Sequence, residues 1–161
     1  MAMTIDTYAA TNPALCSLVL RAFIEGYVEA DPEGAPIPLS ILPLPIVFTE
    51  QIAKTIDPTN VKTGLLPWVV KNQEITIGLS ERITKSAEYS RKALLFGIRY
   101  QVIGLNQAGR LIPVKTGLKK QANFPATTEP GRAIRFATRL GVWMGEVREM
   151  DTIFVSLGVN R

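Results

Sequence analysis

The spacing of apolar residues predicts that this chain is mainly helical. Residues 1–11 show no periodic pattern and are expected to form a loose leader. A helix is predicted to begin at Asn12, because asparagine is a good N-cap and Pro13 needs no hydrogen-bond donor at the first helical position. Apolar residues then recur at helical spacing through Phe23, and the turn residues at 31–34 end this helix.

The middle of the chain combines a proline-rich segment with shorter helices. Four prolines within residues 35–48 predict an extended, partly buried segment, because proline fixes φ and lacks an N–H donor. The pattern leaves open what this segment packs against. Helices are predicted at 49–56, 59–71 and 74–86, and a further one from Ser86 to about residue 101.

Residues 102–114 carry the clearest local pattern. Two short apolar runs flank the loop from Asn106 to Gly109, which is typical of a β-hairpin built on a type I turn. A helix capped by Thr128 is predicted to follow to about residue 145, and the pattern at 152–159 indicates either a strand or a short helix. The order predicts an α+β fold: one mainly helical, winged-helix-like domain at 12–161, with a β-hairpin wing and an additional C-terminal helix.

Composition is that of an ordinary globular domain. The chain has 161 residues, of which 47% are apolar and 20% are charged, so it is long enough to bury a core. No apolar run is long enough to cross a bilayer, and the first residues lack the features of an export signal. Together with a single cysteine, these features predict a cytoplasmic protein without a membrane partner.

The sequence lacks the residue combinations of most catalytic sites. It contains no histidine, only one cysteine (Cys16), no GxxxxGK[ST] phosphate loop, and no Asp or Glu followed two residues later by Lys. Two carboxylate pairs, Glu25 with Glu29 and Glu146 with Glu149, have helical spacing but no further ligands in the pattern. We therefore expect no enzyme activity, no metal, no cofactor and no small-molecule substrate.

Positive charge is concentrated in the second half of the chain. Residues 1–80 contain 4 Lys+Arg and 8 Asp+Glu, whereas residues 81–161 contain 14 and 6. Such a basic half is suited to phosphates or to an acidic protein, although it is equally compatible with a solvated surface that has no dedicated partner. The candidate contact residues for DNA or a protein partner are Arg91, Lys92 and Arg99 before the hairpin, Arg110 at its turn, Lys115, Lys119 and Lys120 in the following loop, and Arg132, Arg135 and Arg139 on the last long helix.

Both tryptophans lie among apolar residues at helical spacing. Trp68 and Trp143 are therefore expected to pack in the core, the alternative being an exposed anchor in an interface.

Short motifs follow one another in a fixed order over residues 12–159. They are Asn12-Pro13-Ala14; Leu42-Pro43-Leu44-Pro45; Thr63, Leu65 and Trp68 followed by Asn72; Arg82; Ala93-Leu94-Leu95-Phe96-Gly97 running into Gly104-Leu105 and Gly109-Arg110-Leu111; Leu140-Gly141-Val142-Trp143; and Thr152-Ile153-Phe154 with Leu157-Gly158-Val159. In order and spacing they resemble the middle component of three-component ABC-ATPase (ABC-3C) systems of the Lamassu kind.

This resemblance implies a small, non-catalytic adaptor subunit in a bacterial defence complex against phages and plasmids. Its partners would be an SMC- or Rad50-like ABC ATPase and an effector, often a nuclease, with direct contact to double-stranded DNA left open. The family's winged-helix-like core agrees with the predicted order of helices and hairpin. One departure is the run at 54–63, which is less basic than the resemblance leads us to expect. The alternative function is a free-standing winged-helix DNA-binding protein or transcriptional regulator.

Overall fold

The computed structural model describes residues 12–114 and 124–159. The helices are α1 Pro13–Ala30, α2 Pro43–Val47, α3 Glu50–Ile56, α4 Leu65–Lys71, α5 Leu79–Arg99, α6 Glu129–Val147 and α7 Met150–Ser156; 3₁₀ turns occupy Ile37–Ile41 and Gln73–Thr76, and strands β1 Ile103–Leu105 and β2 Leu111–Pro113 form an antiparallel hairpin. The predicted mainly helical chain with a β-hairpin is therefore confirmed. The leader at 1–11 lies outside the described residues, and its separation from a single domain at 12–161 stays a prediction.

The long helices α1 and α6 form the centre of the fold, and they contact each other more extensively than any other pair of elements. Glycines permit this close approach. A Cβ atom at Gly141 would collide with the carbonyl oxygen of Phe23, and one at Gly145 would lie 2.6 Å from the carbonyl oxygen of Tyr27. Larger side chains at this crossing would push the two backbones apart.

Polar caps start both helices of the central pair, as predicted. The side-chain oxygen of Asn12 accepts a hydrogen bond from the Leu15 amide (3.2 Å), and Pro13 occupies the first turn. The hydroxyl of Thr128 accepts from the Gly131 amide at the start of α6 (3.2 Å). Local sequence chemistry therefore sets where the central helix pair begins.

The two tryptophans pack against each other in the core, with ring centroids 5.4 Å apart. Each buried indole nitrogen has an acceptor: Trp68 donates to the hydroxyl of Thr55 (3.0 Å), and Trp143 donates to the carbonyl of Asn60 (3.2 Å). The predicted core role of both residues is confirmed.

The proline-rich segment differs from the prediction. Instead of running extended, it forms a 3₁₀ turn and the short helix α2. Pro43 and Pro45 lie in the first turn of α2, where a missing N–H removes no intrahelical hydrogen bond. All five residues of α2 are buried, and the helix contacts α1, α5 and α6. The segment is thus part of the core, which answers what it packs against.

Two further helix boundaries also differ from the prediction. The helices expected at 74–86 and from Ser86 onward are one continuous helix, α5, which starts after Gly78 at a φ of 75°. Ser86 is not a cap; its hydroxyl donates to the Ile83 carbonyl within the helix (3.3 Å). The helix expected from residue 59 begins only at Leu65, because Gly64 has a φ of 84° and a non-helical conformation.

The predicted hairpin is confirmed, and Asn106 organises its turn. The Asn106 side-chain oxygen accepts from the amides of Ala108 and Arg110, both at 3.0 Å, while its amide nitrogen donates to the Glu33 carbonyl (2.9 Å). A β-bridge between Ala35 and Leu111 adds a further backbone contact to β2. The turn is therefore tied to the segment that follows α1.

Arg21 on α1 binds the open end of the hairpin, at the residue before β1 and the residue after β2. Its guanidinium donates to the carbonyls of Val102 (3.1 Å) and Val114 (2.9 Å) and forms an ion pair with Glu25 (2.6 Å). These bonds join the hairpin to the central helix pair.

The end of the chain resolves the alternative left open by its sequence. Residues 150–156 form the helix α7 rather than a strand. Among the helices of the described residues, none is both long enough and apolar enough to span a membrane.

Candidate interaction surfaces

The carboxylate and thiol groups singled out in the sequence do not form a metal-binding cluster in the described part of the chain. Within residues 12–114 and 124–159, no three Asp, Glu, Cys or His side chains lie together as metal ligands would. Glu25 pairs with Arg21, and burial raises the pKa of the Cys16 thiol to about 12, so this thiol is neutral at pH 7.

One side of α5 faces the core and the other carries charge. Its buried residues recur at helical spacing: Leu79, Ile83, Ser86, Ser90, Ala93 and Gly97. Arg91, Lys92 and Arg99 are exposed, as the prediction of a contact role requires. The leucine between them, Leu95, has 65% of its surface exposed. We call Arg91, Lys92, Leu95 and Arg99 the Leu95 surface.

Charge on α5 changes along the helix. Glu81 pairs with Lys85 (3.0 Å) and Glu88 with Lys92 (3.3 Å), so the first half of the helix is electrically balanced. No Asp or Glu occurs between residues 89 and 128, whereas this stretch contains seven Lys or Arg residues. The Leu95 surface therefore lies where positive charge begins to exceed negative charge.

An aromatic pair adjoins the end of α5. The rings of Phe96 and Tyr100 have centroids 4.5 Å apart, and the Arg99 guanidinium lies 5.9 Å from the Tyr100 ring centroid. Tyr100 is itself exposed. Aromatic and arginine side chains in this arrangement are typical of protein interfaces.

The arginine row on α6 makes contacts within the chain. Arg139 donates to the carbonyl of Ile56 at the end of α3 (2.7 Å) and to the Thr59 hydroxyl (3.2 Å), and burial lowers the pKa of its guanidinium, with the Arg135 charge as a second cause. Arg135 forms a 3.4 Å ion pair with Asp57. Both residues help to attach α3 to α6, and a contact with an external partner stays a prediction for them.

Arg132, the first residue of that row, is exposed beside a groove of about 490 Å³ between α3 and α6. The groove contains charges of both signs, since Lys54 and Arg132 face Glu50, Asp57 and Glu129. This mixture does not resemble a site for a polyanion.

The remaining candidates fall in and after the hairpin. Arg110 is half-buried at the start of β2, and its amide is fixed by Asn106. Lys115, Lys119 and Lys120 lie outside the described residues, so their contact role stays a prediction.

A second apolar surface was missed by the sequence analysis. Leu66 and Val70 on α4 and Val155 on α7 line a shallow groove of about 380 Å³, with Val70 and Val155 exposed by 67% and 75%. We call these three residues the valine groove. The sequence does contain a signal for this surface. Leu66 and Val70 are apolar and four residues apart, so they lie on one face of α4, beside the buried face that contains Leu65 and Val69.

Comparison with known protein families identifies the family to which this chain belongs. The family model described as ABC-three component (ABC-3C) system Middle Component 3 (MC3) matches residues 3–161. The chain belongs to the MC3 family. A search of curated proteins and a search of solved structures each found no match.

MC3 membership confirms the resemblance to an ABC-3C middle component that the sequence motifs indicated. As a component of a multi-component system, an MC3 protein has protein partners. In this MC3 chain, the Leu95 surface and the valine groove each expose large apolar side chains on α-helices.

Proposed function

We propose that this MC3 chain is a non-catalytic adaptor that links an SMC- or Rad50-like ABC ATPase to an effector, often a nuclease, in a defence complex against phages and plasmids. The observation that carries the proposal is the family match over residues 3–161, which leaves almost none of the chain for an unrelated function. The sequence motifs further support a system of the Lamassu kind. The proposal includes a cytoplasmic location, because the ATPase partner requires cytoplasmic ATP.

The arrangement of exposed surfaces supports an adaptor. A linking subunit needs two separate contact regions, and the Leu95 surface lies on α5 whereas the valine groove lies on α4 and α7. The two regions also differ chemically: one is ringed by cations, and the other is bordered by neutral polar residues. Two chemically different surfaces support contact with two different partners better than contact with one.

The order of elements supports a winged-helix-like core as part of the proposal. After α1, the chain makes the bridge at Ala35, then the helices α2 to α5, and then the hairpin β1–β2. Ala35 bridges β2, so three segments of backbone lie side by side. In such a core α5 is the helix directly before the wing.

Direct DNA binding is the second candidate function, and the position of α5 before the hairpin favours it. Phosphate contacts by Arg91, Lys92 and Arg99 would make such binding strongly salt-dependent. However, α5 contains no Asn or Gln, and its exposed residues include Glu81 and Glu88, which repel phosphate. Side chains able to read base edges are thus scarce on this helix, and the adaptor function has the better support.

Co-purification tests the adaptor function. The ATPase and the effector of the same ABC-3C system are expressed with and without this chain, each subunit carrying a different affinity tag. We expect the chain to bind both proteins and the ATPase to capture the effector only when the chain is present. A chain that binds neither protein, or an ATPase and effector that associate equally well without it, would contradict the proposal.

A further inference from the structure

We propose that the Leu95 surface binds an acidic segment of a partner subunit, one whose apolar side chain covers Leu95 and whose carboxylates pair with the surrounding cations. The inference rests on the proposed adaptor function and specifies the chemistry of one partner. It depends on two features of α5: an exposed leucine, and cations one helical turn away on either side, which outnumber the nearby carboxylate of Glu88.

The position of Leu95 distinguishes it from an ordinary exposed leucine. Residues three and four positions apart are neighbours on a helix surface, so Leu95 lies next to Arg91, Lys92 and Arg99. Its side chain remains 65% exposed, although Leu94 beside it packs against the core. A leucine surrounded by cations matches a partner that offers one apolar contact and several carboxylates.

The cations on this surface are available to a partner. Among the described residues, the Arg91 side chain has no hydrogen-bond or ion-pair partner, and Arg99 contacts only the ring of Tyr100 through its guanidinium. Lys92 has the exposed carboxylate of Glu88 as its sole partner, at 3.3 Å, which water and salt readily screen. Carboxylates from another subunit would therefore meet cations that the fold does not use.

Protein fits this surface better than nucleic acid. Phosphate binding needs cations but gains nothing from an exposed leucine, whereas a protein interface gains most from burying an apolar residue inside a polar rim.

Three variants separate these alternatives. Leu95→Lys removes the apolar contact, and this loss weakens binding to a protein segment whose apolar side chain covers Leu95. The positive charge that it adds favours binding to DNA, which has no use for the leucine. The double variant Arg91→Glu with Arg99→Glu reverses the charge on both sides of Leu95. Thr84→Lys is the matched control, because it adds the same charge to an exposed position on the same helix, about 16 Å away.

Binding of each variant to the purified ATPase, to the purified effector and to a short duplex DNA is measured in parallel. For one of the two proteins, Leu95→Lys is expected to weaken binding by about 30-fold and the double variant by at least as much, as expected when a central interface residue is lost. Thr84→Lys should change the affinity by less than about twofold. Because Leu95 is exposed, thermal unfolding should show that all three variants remain folded.

The outcomes distinguish failure of the inference from failure of the adaptor function. If the wild-type chain binds its partners and both Leu95-surface variants bind equally well, only the inference is wrong. If Leu95→Lys binds DNA more tightly while its protein binding is unchanged, the surface belongs to nucleic acid and the inference is likewise wrong. If the wild-type chain binds neither protein, the adaptor function fails and the inference fails with it.

Discussion

Arg21 connects the central helix pair to the hairpin, so replacing it should loosen one part of the fold more than the rest. Its side chain is only 12% exposed and donates to the carbonyls of Val102 and Val114. Arg21→Met removes these bonds while keeping most of the hydrocarbon stem, which limits the loss of packing. We expect this variant to remain folded with a loosened hairpin, since Asn106 and the bridge at Ala35 still hold it.

The expected loss of unfolding free energy follows from the two hydrogen bonds that Arg21 donates to backbone carbonyls. A hydrogen bond to a charged group contributes about 1.5–3 kcal/mol, so the pair gives about 3 kcal/mol at the lower limit. The Val102 carbonyl keeps a second donor, the Val114 amide at 3.1 Å, and this favours the lower limit. The ion pair with Glu25 adds little, because that carboxylate is 41% exposed and screened by water.

Urea unfolding and amide hydrogen exchange test this reasoning. We expect Arg21→Met to lower the unfolding free energy by about 3 kcal/mol and to accelerate exchange of the Leu111 amide, which bonds to Ala35 in the folded chain. Glu25→Gln is the control, with an expected loss of less than about 1 kcal/mol. If the two variants lose the same stability, the carbonyl bonds do not hold the hairpin and the reasoning is refuted.

Three other predictions concern the packing, the surface and the pH response of the chain. Gly141→Ala should lower the unfolding free energy by at least about 2 kcal/mol in urea unfolding, because its Cβ meets the Phe23 carbonyl; an unchanged stability would show that the helices can separate freely. Val155→Asp should leave thermal stability nearly unchanged, within about 0.5 kcal/mol, yet weaken binding of one partner subunit in a pull-down, and full binding would exclude the valine groove as an interface. Burial raises the pKa of the Cys16 thiol from 9.0 to about 12, so its contribution to stability is complete below pH 9 and is lost as pH rises toward 12. Burial raises the pKa of Tyr27 to about 12 as well, so urea denaturation at a series of pH values should show a smaller decline for Cys16→Ala than for wild type, and equal declines would contradict the burial of the thiol.

The starts of α1 and α6 and the turn of the hairpin could be predicted from the sequence because their chemistry is local. Asn12 and Thr128 accept hydrogen bonds from amides three residues away, and Asn106 bonds within its own turn. Each motif therefore contains both the donor and the acceptor within a few residues. The hairpin and the starts of α1 and α6 follow directly from such signals.

The rest depends on contacts that the sequence does not reveal. Arg21 is 81 residues from Val102 in the chain and 93 from Val114, and no periodicity links them. Pro43 and Pro45 indicated an extended segment because proline breaks the interior of a helix, but both occupy a first turn that is stabilised by burial among three longer helices. Tertiary packing thus decided the structure where local preference was ambiguous.

Positive charge alone does not identify an interface in this chain. Arg139 and Arg91 are both arginines on the outer side of a long helix, yet Arg139 is half-buried against the end of α3, whereas Arg91 has no side-chain hydrogen bond or ion pair among the described residues. The first is needed by the fold, so its loss would reduce stability. The second can be changed without disturbing the core, and the exposed Leu95 beside it supplies the apolar contact that a solvated basic helix lacks. A change that weakens partner binding without lowering stability is therefore expected on α5 rather than on α6.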